Sequence, residues 1–441
     1  MRGRIVAGGL VAVFVLAGGA ARGQGSDAAL RDRVAQLVER LESPKVEARD
    51  AAEAALIGLG ARALPLLPES AKPGDADRNA RLERIRAALG EAQDQANFAA
   101  TTVTIRGRGI RLSEAIKQLQ ARTGNPITDL REQFGAEVTN PALDLEIVDR
   151  PFFEALDEVA RKAGVTLNFF TGDGSIGLMA GPGEGAPPEG AVAPPPGSSP
   201  IHAGPFRVVL KRIELARDVL SGSASGNIQA EVAWEPRLRP MLLALKADGV
   251  AIVDDRGETV APAVMGESDS VALRAENPAA ELNIGMTAPD RQAGVKALRS
   301  LKVRGDVTVP AALKTFRFPS LAARDVSIQQ GKVQVTLAST EVEESTWKVN
   351  VAVVMPGEGP AFESFRQGLF NNRLWLLKPD GSRFEHNGGF SNTAADGGRL
   401  GFEYLFVDAP GKPADYQLVY ETPSRVIQIP LEFEFKDVPL P

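Results

Sequence analysis

The sequence predicts a multidomain α+β protein in which a short helical segment, a small βαβ-βαββ domain, a Pro/Gly-rich linker and two β-sandwiches follow one another. Three observations lead to this prediction. Two similar amphipathic helix patterns lie 40 positions apart, two similar strand-rich passages lie about 120 positions apart, and a proline-rich stretch separates the two pairs. The length of 441 residues is enough for roughly two to four domains.

Residues 1–23 have the composition of a secretory signal peptide. Arg2 and Arg4 precede the apolar run IVAGGLVAVFVLAG, and small residues follow it. Because this run is too short for a membrane span, we expect cleavage near residues 21–25 and export to the periplasm or the extracellular space. An uncleaved anchor is the alternative. No later apolar run is long enough to cross a bilayer as a helix, so no transmembrane segment is expected after cleavage.

The composition excludes several classes of site and partner. The chain has no cysteine, which excludes disulfide bonds, thiol catalysis and thiolate metal sites. It has 50 basic and 56 acidic residues, and three of the basic ones precede Gln24, so the mature chain has 47 against 56 and a net charge of −9. Because no dense run of Lys or Arg remains, we expect no nucleic-acid partner and no tight binding to anionic lipid.

Residues 28–95 are predicted to be helical. Apolar residues recur there with helical spacing, and Ser43-Pro44 and Gly60 interrupt the pattern. The order of helix, proline turn, helix and LGARALPLL resembles HEAT-type helical repeats, whose joining phrase is matched by Arg49, Ala52, Leu59, Gly60, Ala63, Pro65 and Leu67. The match covers about one and a half repeats, and an unrelated four-helix segment is the alternative.

Residues 101–180 contain the two similar helix patterns. LSEAIKQLQARTG begins at Leu112, FFEALDEVARKAG begins at Phe152, and each ends in a glycine, at Gly124 and Gly164. Apolar residues at i, i+3, i+4 and i+7 predict one buried face on each helix, and glycine accepts the left-handed conformation that ends a helix. Alternating passages around the helices predict strands, so that the order is β-α-β followed by β-α-β-β.

This order and spacing resemble the short N-terminal domain that secretins share with TonB-dependent outer-membrane receptors. The two helix phrases of that family are matched by Leu112, Ala115, Ile116, Leu119, Thr123 and Gly124, and by Glu154, Ala155, Leu156, Val159, Gly164 and Leu167. The resemblance implies that both helices pack in one domain and that this domain serves in protein interaction and assembly. It implies no catalytic residue. A generic α+β domain with helices of similar length is the alternative.

Residues 181–205 are predicted to be a Pro/Gly-rich linker with the sequence GPGEGAPPEGAVAPPPGSSPIHAGP. A passage of this composition has too few apolar residues to form a core. We expect a semi-rigid spacer, extended by up to about 3 Å per residue where it adopts polyproline geometry.

The C-terminal half is predicted to be β-structure that contains an internal repeat. ELNIGMTAP, which ends at Pro289, is similar to FEYLFVDAP, which ends at Pro410, and the later passages VTVPAALKTFRF and IQIPLEFEF are similar in turn. The nearly constant separation predicts two copies of one immunoglobulin-like β-sandwich, at residues 206–320 and 321–441. A single larger sandwich is the alternative.

No motif in the sequence identifies a catalytic, cofactor-binding or metal-binding residue. The calcium-loop, dinucleotide-loop and nucleophile-elbow patterns each lack a residue that their chemistry requires. The chain has two histidines. His202 falls in the predicted linker, and His386 falls in the Gly-rich passage FEHNGGFSN, where we expect a solvated loop residue. No cofactor is therefore predicted.

The predicted function is that of a non-catalytic exported envelope protein, a scaffold or adaptor that works through its interaction modules. A protein or cell-wall component is the expected partner, and the net charge favours a basic one. The alternative is a secreted carboxylate-dependent hydrolase, for example one acting on glycans, whose paired acids the sequence does not identify. The sequence leaves the oligomeric state open.

Overall fold

The chain has a mixed α+β structure. A computed structural model describes residues 20–68, 75–135, 138–181, 199–263, 268–289, 294–354, 372–396 and 399–441. About 50% of the structure is strand and 24% is helix, which confirms the predicted α+β class. Contacts divide the chain into two compact units, Met1–Asn97 and Phe98–Pro441. Among the described residues, no helix is long and apolar enough to cross a membrane.

The first unit is helical, as the sequence predicts. Its described elements are α1 (Ala20–Arg40), α2 (Val46–Gly58), a 3-10 helix (Ala61–Leu66) and α3 (Ala76–Phe98), whose last residue belongs to the second unit. The predicted apolar faces form one core, made by Val34, Leu37, Leu41, Ala52, Leu56, Ala63, Leu67, Leu82, Ile85 and Leu89. Most of the predicted signal peptide, residues 1–23, lies outside the described residues, which begin at Ala20.

Residues 101–181, here called the α+β module, contain strands and helices in the predicted order. The elements are β1 (Thr102–Arg111), α4 (Leu112–Thr123), β2 (Ile127–Asp129), β3 (Ala142–Pro151), α5 (Phe152–Ala163), β4 (Val165–Asn168) and β5 (Ile176–Ala180). Strands β1 and β3 form an antiparallel pair. Strand β5 lies between β2, which is parallel to it, and β4, which is antiparallel.

The two helices of the α+β module have the predicted ends and buried faces. Gly124 and Gly164 follow α4 and α5 with φ of 71° and 69°, the left-handed conformation that costs glycine least. The predicted apolar faces are buried in a single core, to which the helices contribute Leu112, Ala115, Ile116, Leu119, Phe152, Ala155, Leu156 and Val159. The repeat in the sequence therefore reflects two βα halves that share one interior.

The predicted linker is shorter in the structure than residues 181–205. Residues 182–198 lie outside the described residues, but Ile201–Ala203 forms strand β6, which pairs with the next strand. His202 therefore lies in a sheet, and the predicted placement in a spacer is corrected. The next strand, Phe206–Arg217, supplies backbone hydrogen-bond partners for this short strand, and a proline-rich spacer would have none.

The remaining strands lie in three sheets of the described chain. The first group contains β7 (Phe206–Arg217), β8 (Ala224–Trp234), β9 (Leu242–Asp254), β10 (Thr259–Val260), β11 (Pro262–Ala263), β12 (Ser268–Ala272), β13 (Ala279–Thr287) and β14 (Ala297–Phe318). The second group contains β15 (Val326–Gln330), β16 (Val333–Glu343), β17 (Thr346–Val354), β18 (Arg373–Leu377), β19 (Arg383–Glu385), β20 (Phe390–Asp396), β21 (Arg399–Val407) and β22 (Gln417–Pro439).

Two five-stranded sheets pack against one shared sheet. The five-stranded sheets have the orders β6-β7-β8-β13-β11 and β15-β16-β17-β21-β20. The shared sheet has the order β10-β9-β14-β22-β18-β19, with β12 paired to β9. Each five-stranded sheet encloses one hydrophobic core with its part of the shared sheet, and we call these the first core and the second core.

The repeated passages occupy corresponding places in the two groups of strands. ELNIGMTAP contains most of β13, which lies between β8 and β11, and FEYLFVDAP contains most of β21, which lies between β17 and β20. In the shared sheet, β9 lies between β10 and β14, just as β18 lies between β19 and β22. The strand order therefore has the symmetry that two copies of one unit would give.

The two groups are joined by the long strands β14 and β22. Each of these strands has one part in the first core and one part in the second core. They pair antiparallel along their whole length, from Ala297 opposite Pro439 to Phe318 opposite Leu418. The early part of β14 lies in the first core, but its Phe316 lies in the second core. Conversely, Leu418 of β22 lies in the second core and Phe433 lies in the first.

Because both cores share β14 and β22, the chain does not divide into the two predicted consecutive sandwiches. The first core includes Leu431, Phe433, Phe435, Val438 and Leu440 from the C-terminus, so it is not built from residues 206–320 alone. The register shifts of the β14–β22 pair fall where the strands leave one core for the other, between Pro310 and Leu313. The structure thus has two cores, as two copies predict, but the copies share one sheet and are not consecutive segments.

Candidate functional site

Glu235, which follows β8, joins the α+β module to the first core. Its side chain is 0% exposed. One carboxylate oxygen accepts a hydrogen bond of 2.8 Å from the backbone N–H of Thr101. The other accepts hydrogen bonds from the Thr101 hydroxyl at 2.8 Å, the Asn125 amide at 3.1 Å and Arg237 Nε at 2.7 Å. A buried carboxylate is stable only with such partners, so this cluster fixes the two parts of the unit against each other.

Asp157 of α5 makes a second link between the same two parts. Its carboxylate lies 2.8 Å from His202 Nε2 and accepts hydrogen bonds of 3.0 and 2.9 Å from Arg207 Nε. Burial by itself would raise the pKa of Asp157. The hydrogen bond with His202 and the charge and hydrogen bonds of Arg207 outweigh it and hold the pKa below the ordinary value.

The turn before β5 makes the third link. The backbone N–H of Gly172 donates to the Asn277 side chain at 3.0 Å, and that of Gly174 donates to the Glu276 carbonyl at 2.7 Å. Gly174 has φ of 79°, and a Cβ at this position would lie 2.7 Å from the carbonyl oxygen of Ala275. The turn can approach the loop between β12 and β13 this closely only with glycine here.

A cleft of about 660 Å³ lies where the α+β module and the strands of the two cores meet. We call it the junction cleft. The polar and charged residues in its wall are Asp173 from the α+β module, Arg237, Arg239 and Glu276 from the first group of strands, and Asn372, Arg373, Glu385, His386 and Glu421 from the second. Its volume is in the range of pockets that hold small ligands, about 300–1,000 Å³.

Two arginine side chains converge on Glu421 in this wall. An Nη1 atom of Arg239 and one of Arg373 each lie 3.9 Å from the same Glu421 oxygen, beyond hydrogen-bond distance. The side chains of Arg239 and Arg373 are 47% and 45% exposed. Within the described part of the chain neither guanidinium makes a hydrogen bond, although Arg373 also lies over the Trp375 ring at 5.5 Å. Both groups therefore have donors free for an anion.

Two carboxylates, of Glu276 and Glu385, lie in another part of the wall. Both side chains are exposed, and no ion pair to either is present among the described residues. The charges of both carboxylates act on the ring of His386. The cleft wall therefore contains exposed groups of both charges.

His386 is partly buried, and the predicted solvated loop position is corrected. Its ring lies edge-on to Tyr404, Phe390 and Phe406, with centroids at 5.4, 6.2 and 6.4 Å. Its Nδ1 atom is buried and has no hydrogen-bond partner. Burial lowers the pKa of His386 below its ordinary value, against the opposing effect of the Glu385 and Glu276 charges. Phe390 lies in the same Gly-rich passage, but Tyr404 and Phe406 come from β21, so the passage alone does not show that the ring is enclosed.

Asn372 lines the cleft with a largely buried side chain. The residue is 9% exposed, and its amide nitrogen donates a hydrogen bond of 2.7 Å to the hydroxyl of Tyr420. Its side-chain oxygen is buried without a partner. Burial raises the pKa of Tyr420 to about 12, so its phenol stays protonated. A buried acceptor without a donor is unfavourable unless a ligand or water supplies one.

The sequence did not indicate these residues as a site. Of the polar wall residues, Glu385 and His386 lie in the passage FEHNGGFSN singled out above, and the wall residues come from three separate parts of the chain. Among the described residues there is no group of three or more His, Cys, Asp or Glu side chains placed to hold a metal ion. The arrangement places exposed groups of both charges beside an apolar surface.

The histidine in this site gives an expected pH dependence. The folded-state pKa of His386 lies below the unfolded value of 6.5, so the unfolded chain binds a proton more readily. The free energy of unfolding should therefore decrease as the pH falls from 6.5 towards the folded pKa, and this term should vanish above 6.5. Urea unfolding of the parent and of His386→Gln at several pH values measures it. The variant should show a flatter dependence, and parallel curves would mean that His386 is solvated.

Comparison with protein-family models finds none that matches the chain, and comparison with curated proteins finds no significant match.

Proposed function

We propose that the protein is a non-catalytic exported envelope protein, a scaffold or adaptor that holds a protein or cell-wall partner in the junction cleft. One observation carries this proposal. The cleft wall contains the guanidinium groups of Arg239 and Arg373 and the exposed carboxylates of Glu276 and Glu385, which make no hydrogen bond to another side chain of the described chain. Groups of this kind are stable only in contact with water or with a ligand that satisfies them.

The supports behind the wall favour binding without a large rearrangement. Glu235 holds Arg237, and the Gly172–Gly174 turn is hydrogen-bonded to Asn277 and Glu276. Strands β14 and β22 run through both cores and pair along their whole length, so they restrict movement of the cleft wall. A wall that is already in place loses little conformational freedom when a partner binds.

The likeness of residues 101–180 to the short N-terminal domain of secretins and receptors also supports a role in protein interaction. The basic start and apolar run before residue 23 support export to the periplasm or outside the cell. Sequencing of the mature N-terminus checks this location. A mature chain that begins at Met1 would contradict it.

Capture of a partner tests the proposed function. The mature protein, the cleft variant Arg239→Gln/Arg373→Gln and the control Arg212→Gln are each immobilised on a support. Each is then incubated with envelope extract. Arg212 is 65% exposed and pairs with Glu214 on β7, outside the cleft. We expect the parent and the control to retain the same partner and the cleft variant to lose it. The negative net charge should also make retention weaker as salt rises if the partner is basic.

Two results would contradict the proposal. One is a partner that the cleft variant retains as well as the parent does. The other is turnover in a hydrolase panel that is abolished by Glu421→Gln or His386→Ala, which would favour the carboxylate-dependent hydrolase instead.

A further inference from the structure

We infer that the tip of the β7–β8 hairpin inserts two apolar side chains into the surface of a lipid bilayer. The hairpin tip is the loop 218–223, which joins β7 to β8. Val219 and Leu220 at its apex are 91% and 100% exposed, more than any other large apolar side chain among the described residues. Neither residue lines the junction cleft, so this inference does not depend on the proposed function.

Hydrogen bonds within the hairpin tip fix its conformation. The backbone N–H of Asp218 donates to the Ser223 carbonyl at 2.8 Å, and that of Gly222 donates to the Asp218 carbonyl at 2.9 Å. The Asp218 carboxylate accepts hydrogen bonds from the Ser221 backbone N–H at 2.6 Å and from the Ser221 hydroxyl at 2.8 Å. The two apolar side chains take no part in these bonds. An ordered loop loses little conformational freedom when its apex enters a bilayer.

The shape and the surroundings of the apex favour a bilayer over a pocket in a protein. Two adjacent side chains that are almost completely exposed form a protruding point. A flat protein surface covers one side of such a point, whereas fluid acyl chains close around it and remove most of its apolar surface from water. Ser221, Ser223 and Ala224 beside the apex are exposed and uncharged, so they supply no charge pattern for a protein partner to match.

Two charged residues before the apex limit how deeply the hairpin tip enters. Arg217 is exposed, and within the described part of the chain its guanidinium has no hydrogen bond or ion pair. It is therefore available to a lipid phosphate while its carbon chain lies along the interface. The charged carboxylate of Asp218 is too costly to bury in hydrocarbon, so insertion ends at Val219 and Leu220.

The expected attachment is reversible and does not require anionic lipid. A single myristoyl chain, which is longer than both side chains together, binds a bilayer with an association constant of only about 10⁴ M⁻¹. The negative net charge of the protein opposes binding to an anionic surface. The hairpin tip therefore suits a zwitterionic surface, where it adds to whatever other contact holds the protein at the envelope.

A fluorescent label at the apex tests insertion. The chain has no cysteine, so Leu220→Cys creates a single attachment site for an environment-sensitive dye. The labelled mature protein is titrated with phosphatidylcholine vesicles at millimolar lipid. We expect its emission to shift to shorter wavelength and to be reduced by quenchers carried on the acyl chains. The same dye on Ser327→Cys, at an exposed position of β15, should show neither change.

Sedimentation of the unlabelled protein with the same vesicles measures what the apex contributes. In Val219→Ser/Leu220→Ser the partition coefficient should fall at least about tenfold, because the apolar surface that enters the bilayer is lost. Both side chains are exposed, so the variant should fold as the parent does. Val342→Ser is a matched control, since this side chain is 54% exposed on β16, and it should leave the partition coefficient unchanged.

Three results would overturn the inference. The first is a label at the apex whose emission does not respond to vesicles. The second is a serine variant that sediments with vesicles as well as the parent does. The third is a protein captured from envelope extract through Val219 and Leu220 without any binding to vesicles, which would make a protein pocket the occupant. The proposed function is tested separately, because it depends on Arg239 and Arg373, which the serine variant keeps.

Discussion

Glu235→Ala is expected to lower the free energy of unfolding by about 3–5 kcal/mol, the usual cost of removing one partner from a buried charged cluster. The substitution leaves the backbone N–H of Thr101, the amide of Asn125 and Nε of Arg237 without their acceptor. Because Glu235 is 0% exposed, water cannot replace the carboxylate without entering the interior. The stability loss should therefore be far larger than for an ordinary surface ion pair.

Urea unfolding measures this change, and hydrogen exchange followed by mass spectrometry locates it. Exchange should rise in peptides that cover β1 and β2, because the released contacts join the α+β module to the first core. Glu235→Gln, which keeps some of the acceptor capacity, should lose less. Glu281→Ala is a matched control, because this glutamate is exposed on β13 and its side chain bonds, among the described residues, to Gln229 alone, so it should change stability by about 0.5 kcal/mol or less. A similar small loss for Glu235→Ala would mean that the cluster is dispensable.

Phe433→Ala is expected to destabilise the first core by about 3–5 kcal/mol, the usual cost of removing a buried phenylalanine ring. Phe433 is 3% exposed and packs beside Phe435 with ring centroids 5.5 Å apart. Since both rings lie in the first core, the effect should appear more than 100 residues upstream in the chain. Hydrogen exchange should rise in peptides from β8 and β9 before it rises in peptides from β17 and β21.

Phe316→Ala is the reciprocal experiment. This ring lies on β14, in the first group of strands, but it is 0% exposed in the second core. We expect hydrogen exchange to rise first in peptides from β17 and β21. If each substitution instead loosened the strands nearest to it in sequence, the sharing of β14 and β22 between the two cores would be contradicted.

The sequence was sufficient for features that depend on local spacing. The helical spacing of apolar residues from Leu112 and from Phe152 indicated both helices of the α+β module, and Gly124 and Gly164 marked their ends. These features are predictable because a helix buries residues that are close in sequence, and because only glycine reaches φ near 70° cheaply. The similarity of β13 and β21 was also visible, since a repeat in sequence produces a repeat in strand order.

The sequence could not tell which core the ends of the repeated strands enter. The alternation of Phe316 with Phe318, and of Phe433 with Phe435, predicts that each pair is buried on one face of a strand. The same pattern is satisfied whether a strand continues in its own copy or crosses into the other. Only the antiparallel pairing of β14 with β22 decides between them, because it carries each strand past the bulge near Pro310.

The junction cleft was decided entirely by the tertiary structure. By itself the sequence determined the α+β class, the helix faces and their glycine ends, and the presence of a repeat, all of which follow from local periodicity and backbone conformation. The environments of Glu235, Asn372 and His386 depend on side chains that are distant in sequence, such as Thr101 beside Glu235. Burial and hydrogen bonding are set by which segments come together, so a glutamate or histidine in a loop passage shows no sign of them until the chain has folded.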